Sequence, residues 1–190
     1  MTIRRIIDAS YRSAVKALVM GTSPAALARA RERAFVKSLV LEFQAAYTDD
    51  DIRVFSAYGQ RNFRDFGSEK LLSDIAVGRI EESCASGRDT QNFLFVAALL
   101  WQIEIDLSRE WRHAIYAVNR LNCGSAENKL LLAARLPRGE DDYLQTLRAP
   151  FAAGSGAAHV ALIPHPAEWE ASEDAPAVWS MTDGEWVEAS

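Results

Sequence analysis

"NFLFVAALLWQIEIDL", residues 92–107, is the stretch whose reading decides the fold. Most of it is apolar enough for a strand in a core, yet it closes on two acids, Glu104 and Asp106. Side chains two positions apart on a strand point to the same side, so both carboxylates face one way. Two unpaired negative charges side by side in a core are costly. The strand therefore needs a wet face at its end or a cation in front of it. Arg109, Arg112 and Arg120 in the next segment could form such an ion-pair cluster.

Working outward, "SREWRHAIYAVNRLNCG" (108–124) has the pattern of a helix, with Ser108 as N-cap and Gly124 just past its end. "NKLLLAARL" (128–136) is a short apolar strand of the kind buried in a parallel arrangement. "GEDDYLQTLRAPFAAG" (139–154) is an amphipathic helix whose opening acids suit its N-terminal dipole. "HVALIPHP" (159–166) is a further strand, and "AVWSMTDGEWVEA" (177–189) predicts a hairpin about Asp183-Gly184. Toward the N-terminus, "LLSDIAVGRIE" (71–81) and "IRVFSAY" (52–58) have the character of strands, with the polar loop "GQRNFRDFGSEK" (59–70) between them. Helical spacing covers 3–20 and again 24–47, where Ser23 is a plausible N-cap and Pro24 fits the first helical position. This order predicts an α/β fold, a mixed sheet flanked by helices. A chain of 190 residues suits one domain, with a helical part over 1–50, a core over 51–166 and an acidic end over 167–190.

Charge and motifs narrow the function. The net charge of −5 argues against a general nucleic-acid coat protein. Residues 1–70, however, carry 12 Lys and Arg against 8 Asp and Glu, so only this part has the charge to approach a phosphate backbone. No apolar run reaches the roughly 20 residues of a membrane helix, two distant cysteines suggest neither a disulfide framework nor a zinc site, and a cytoplasmic location is the default. A P-loop, HExxH, GxSxG, CxxC and a Gly-rich turn after the first strand are all absent. Trp101 and Trp111 are expected to pack in the core or between helices, and His113 to lie on the surface.

Asp74 in the second strand, Glu104-Ile105-Asp106 at the end of the third, a helix after it and Glu42 on the long preceding helix make an arrangement of acids. It resembles the PD-(D/E)xK nuclease superfamily, the restriction-endonuclease-like fold. The likeness runs through "LVLEFQAAY", "FGSEKLLSDIAVGRIEE", "LLWQIEIDLSREWRHAIYAVNRL" and "NKLLLAARL", roughly residues 35 to 136, and rests on element order and acid placement.

The resemblance implies metal-dependent hydrolysis of DNA phosphodiesters. Asp74 and Glu104 would hold Mg²⁺ or Mn²⁺ with the main-chain carbonyl of Ile105, and Glu42 would act as a water-mediated ligand or an orienter. Two protein carboxylates are what Mg²⁺ commonly takes. The chain departs from the pattern at Asp106, which stands where the family keeps its Lys. Lys129, Arg120 and Lys70 are the cations that could replace it, Lys129 first, and Asp106 would be an extra acid of the site. Arg61, Arg64 and Lys70 around Phe63 and Phe66, together with Arg120, form the expected contact with nucleic acid. The alternative is a catalytically silent nuclease-fold protein that binds nucleic acid or a protein partner; no membrane is implied, and a homodimer is left open.

Overall fold

The computed structural model describes residues 2–58, 62–84, 92–136, 139–169 and 174–189. Among them the elements run α1 (Ile3–Lys16), α2 (Pro24–Ala46), β1 (Ile52–Ser56), α3 (Asn62–Phe66), β2 (Ile75–Cys84) and β3 (Asn92–Asp106). They continue with α4 (Trp111–Asn122), β4 (Asn128–Ala134), α5 (Glu140–Ala152), β5 (Ala157–Ile163), β6 (Ala177–Thr182) and β7 (Glu185–Glu188). The fold is α/β, as the element order predicts: a seven-stranded mixed sheet in the order β1-β2-β3-β4-β5-β6-β7. β3 is the hinge of its topology, antiparallel to β2 and parallel to β4. β4 and β5 are also parallel, with α4 and α5 as the crossovers that parallel pairs require.

Alternation along the strands builds two cores. Leu130, Leu132 and Ala134 of β4 pack with Trp101, Ile103, Ala161 and Ile163 beneath α1 and α2. Leu131 and Ala133 turn the other way and join Val160 and Leu162 beneath α4 and α5. This is why β4 is an unbroken apolar run: both of its faces are covered. α2 contributes Phe35, Leu39 and Phe43, four residues apart and all 0% exposed. Ser23 caps it as expected, its Oγ accepting from the Ala26 N–H at 3.2 Å, with Pro24 in the first turn. The hairpin also forms where expected, with Asp183 and Gly184 at φ 52° and 78°. Two successive left-handed residues match the strand twist in a two-residue turn.

Several boundaries differ from the sequence expectation. The N-terminal helix stops at Lys16, and Leu18 and Met20 beyond it are exposed. The 59–70 segment contains a helical turn, α3, whose Phe66 packs edge-on against Phe55 at 5.1 Å while Phe63 is exposed. The buried Asn62 side chain donates to the Val54 carbonyl at 2.7 Å and ties this turn to β1. β2 begins at Ile75, so Leu71–Asp74 is an approach segment and not strand. Trp101 is a core residue, donating its indole N–H to the Tyr47 hydroxyl, but Trp111 is exposed with Arg112 over its ring. No helix among the described residues is long and apolar enough to cross a membrane.

Phe43 locks α2 onto the sheet, its ring 5.8 Å from that of Trp101. Phe43→Ala should lower the unfolding free energy by about 3–5 kcal/mol, measured by urea titration with the denaturant slope unchanged.

Candidate active site

Register places the acids. Ile75 of β2 lies opposite Ile103 of β3, so Asp74 sits just beyond the paired segment, beside the last residues of β3. Its Oδ2 accepts the Ile105 backbone N–H at 3.0 Å, and its Oδ1 receives Lys70 Nζ at 3.1 Å. Asp74, just ahead of β2, and Ile105 of β3 are thereby fixed side by side at the C-terminal end of β3. Crevices at the carboxyl ends of parallel strands are where α/β sheets hold ligands.

Glu104 is 1% exposed. Parity turns it toward α4, next to Leu131 on β4. Arg120 of α4 reaches its Oε2 with Nε at 2.7 Å and Nη2 at 2.5 Å, while Oε1 is buried with no hydrogen-bond partner. Burial raises the Glu104 carboxyl pKa, Arg120 opposes that, and the Asp74 charge adds to it. Asp106 is half-buried, and its Oδ1 accepts the Ser108 N–H at 3.1 Å where the chain turns toward α4. The third strand thus has both answers to its acids: a cation over Glu104 and partial solvent at Asp106.

The acid that α2 presents to this group is Glu32. Its carboxyl is pushed up by burial first, then by the charges of Asp106 and Asp74, against the pull of Arg33. Glu32, Arg33, Tyr58, Lys70, Asp74 and Ile105 line a cavity of about 200 Å³. Glu42, the sequence candidate, lies ten residues further on, about 15 Å along the helix. Glu32 stands between Arg31 and Arg33 in "ARARERAF", where it passes for one charge of a solvated basic face. Its signal was its position three and four residues before Phe35 and Val36, on the stripe that turns inward.

The other candidates divide. Lys70 and Arg120 both reach site carboxylates. Lys129 is 1% exposed and its Nζ has no hydrogen-bond partner. It lies in register with Gln102, one side-chain step short of Glu104, and burial lowers its pKa. The cation on Glu104 is therefore Arg120 and not Lys129. Arg64 is exposed on α3, and Arg61 lies outside the described residues. His113 is exposed and hydrogen-bonded to Ser108, as expected.

Among the described residues no group of three or more His, Cys, Asp or Glu is arranged to hold a metal. Asp74 and Glu104 lie within electrostatic reach of each other, and the buried Oε1 of Glu104 has no hydrogen-bond partner. Two carboxylates completed by waters are within the habits of Mg²⁺. No family model matches the chain, and no curated protein or solved structure matches it.

Arg120→Ala would strand the Glu104 charge in the core. Because the Arg120 side chain is 53% exposed, the expected loss is about 2–3 kcal/mol, below that of a fully buried pair. Glu104→Gln on that background should recover most of it in chemical denaturation.

A raised folded pKa means that Glu104 contributes stability below its unfolded value of 4.5, which is lost as pH rises through the folded value. Glu104→Gln cannot ionise, so it should gain on the wild type as pH rises from 4.5 through the raised folded value. A difference that stays flat across that range in paired urea titrations would contradict the burial argument.

Proposed function

We propose that this chain is a metal-dependent phosphodiester hydrolase acting on DNA, in the manner of the PD-(D/E)xK nucleases that its acid pattern resembles. The observation that carries the reading is the hydrogen bond from the Ile105 N–H to Asp74, which holds one carboxylate beside the strand end that bears Glu104. Glu32 adds a third acid from α2, in electrostatic reach of Asp74.

Asp74, Glu104 and the Ile105 carbonyl would hold Mg²⁺ or Mn²⁺. Bound there, the metal supplies charge neutralisation at the phosphate and a lowered pKa for the attacking water. The protein's own groups supply the rest. Glu32, with its carboxyl pushed up by burial and two neighbouring acids, is a more basic carboxylate suited to take a proton from water. Arg120, its Nε and Nη2 on Glu104, and Lys70, its Nζ on Asp74, add positive charge beside the place a phosphate would take. Arg120, arriving from the helix, takes the place of the Lys that the resembling family carries on the strand, where Asp106 stands here.

A second reading has its own support: Lys70 and Arg120 already neutralise Asp74 and Glu104. A site compensated in this way would bind nucleic acid without cleaving it.

Cleavage of plasmid and single-stranded DNA with Mg²⁺ or Mn²⁺ separates the two. Under the nuclease reading, Asp74→Asn and Glu104→Gln each reduce the rate by roughly 100-fold or more, with circular dichroism unchanged. Glu32→Gln also falls, and Glu42→Ala stays within about twofold of wild type. A wild type that cleaves nothing with either ion, yet binds DNA with an affinity that drops steeply with salt, assigns the silent role.

A further inference from the structure

A second cavity, of about 290 Å³, opens on the α4 side of the sheet beside the acids. Leu71, Leu72 and Ser73 form one wall, and Ala76, Ala98 and Gln102 the floor. β2 and β3 slip register at Val77/Gly78 and again at Arg79/Ile80 beside this floor, and such bulges bend a strand pair and re-aim its side chains. The lining is mostly aliphatic, with three alanines and a glycine among it, so a flat apolar group has room to lie there.

Ser73, Gln102 and Ser125 are the polar side chains of this surface; the Ser73 hydroxyl is spent on the Ile75 carbonyl, and Gln102 is the buried one with an unpaired atom. Gln102 is 2% exposed; its Nε2 donates to the Arg120 carbonyl at 3.2 Å, and its Oε1 has no partner. The amide packs against Gly124, where any Cβ would collide with it. An amide oxygen kept dry and unpaired carries a cost that a ligand N–H would relieve. Position ties the cavity to the acids. Ser73 precedes Asp74, and Gln102 lies one side-chain step, about 7 Å, before Glu104 on the same face. Lys70 directly precedes the Leu71–Ser73 wall in the chain, and the Arg120 carbonyl holds the Gln102 amide.

We infer that the cavity between Leu71–Ser73 and Ala76, Ala98 and Gln102 holds a single unpaired nucleobase of the strand whose phosphate lies at the acidic site. The inference rests on the nucleic-acid reading above and names its substrate class: single-stranded DNA, or a strand with one base drawn out of the stack. The aliphatic walls take the base face, and the Gln102 amide meets an N–H on its edge.

A single-stranded oligonucleotide carrying the fluorescent adenine analogue aminopurine tests this, in EDTA so that no cleavage occurs. Emission rises when the analogue leaves a base stack, and the cavity lining has no aromatic side chain to quench it. The wild type should raise the emission at saturation, while Ala98→Phe, which fills the cavity, should still bind the oligonucleotide by anisotropy but give no rise. If Ala98→Phe fails to fold, Gln102→Leu serves: the same rise should need roughly fivefold to tenfold more protein. Binding by anisotropy with no emission change in the wild type, or an unchanged response in these variants, overturns the pocket and leaves the proposed function standing. No anisotropy change with any oligonucleotide overturns the pocket, and the proposed function falls with it if Mg²⁺ and Mn²⁺ also support no cleavage.

Discussion

The C-terminal part of β3 is covered on both faces, and charge there collects where that cover ends. The rest of the molecule is arranged around this constraint. Its middle is committed to the two cores by Trp101, Ile103 and their neighbours on β4. Its last residues emerge where β2 begins and where the chain leaves for α4. There the sheet changes from antiparallel to parallel pairing, and there the carboxylates collect. Glu104 is the exception that proves costly, since it is inside the cover and needs Arg120 to stay there.

Much of this was legible in the residues. The Ser23-Pro24 helix start, the Asp183-Gly184 turn and the apolar β4 each depend on local chemistry that a sequence displays directly. The α/β order follows from the same signals. The start of β2 was harder, because the apolar pair Leu71-Leu72 continues a strand-like pattern although Leu72 is 86% exposed. Trp111 was misjudged for a similar reason: a large ring implies a core unless the helix face is known. α3 went unread because a single helical turn has too few positions to show a period.

The site was only partly legible. Glu104 and Asp106 are placed by strand parity, which is visible in one dimension, and Asp74 by its position just before β2. Which helix acid faces them depends on how α2 lies across the sheet, and two glutamates ten residues apart look alike until that is known. The choice between Arg120 and Lys129 had the same character. Lys129 is on the adjoining strand, but register places it opposite Gln102. Arg120 is nearer only because α4 folds back over β3. Arg31, too, counted as a basic surface charge, yet it is 7% exposed and donates to the Pro166 carbonyl.

The Asn62 hydrogen bond has a bearing on how copies of this protein meet. β1 is one border of the sheet, and an uncovered border is a template for another chain's backbone. Asn62 takes the Val54 carbonyl, and Arg53 takes that of Ile52 at 3.0 Å. The opposite border, β7, is four residues long and has a glutamate at each end. Both borders are therefore poor seeds for intermolecular strand addition, one through occupied acceptors and the other through brevity and repulsion. The apolar centre of the sheet is thus framed by margins poorly suited to extension by another strand.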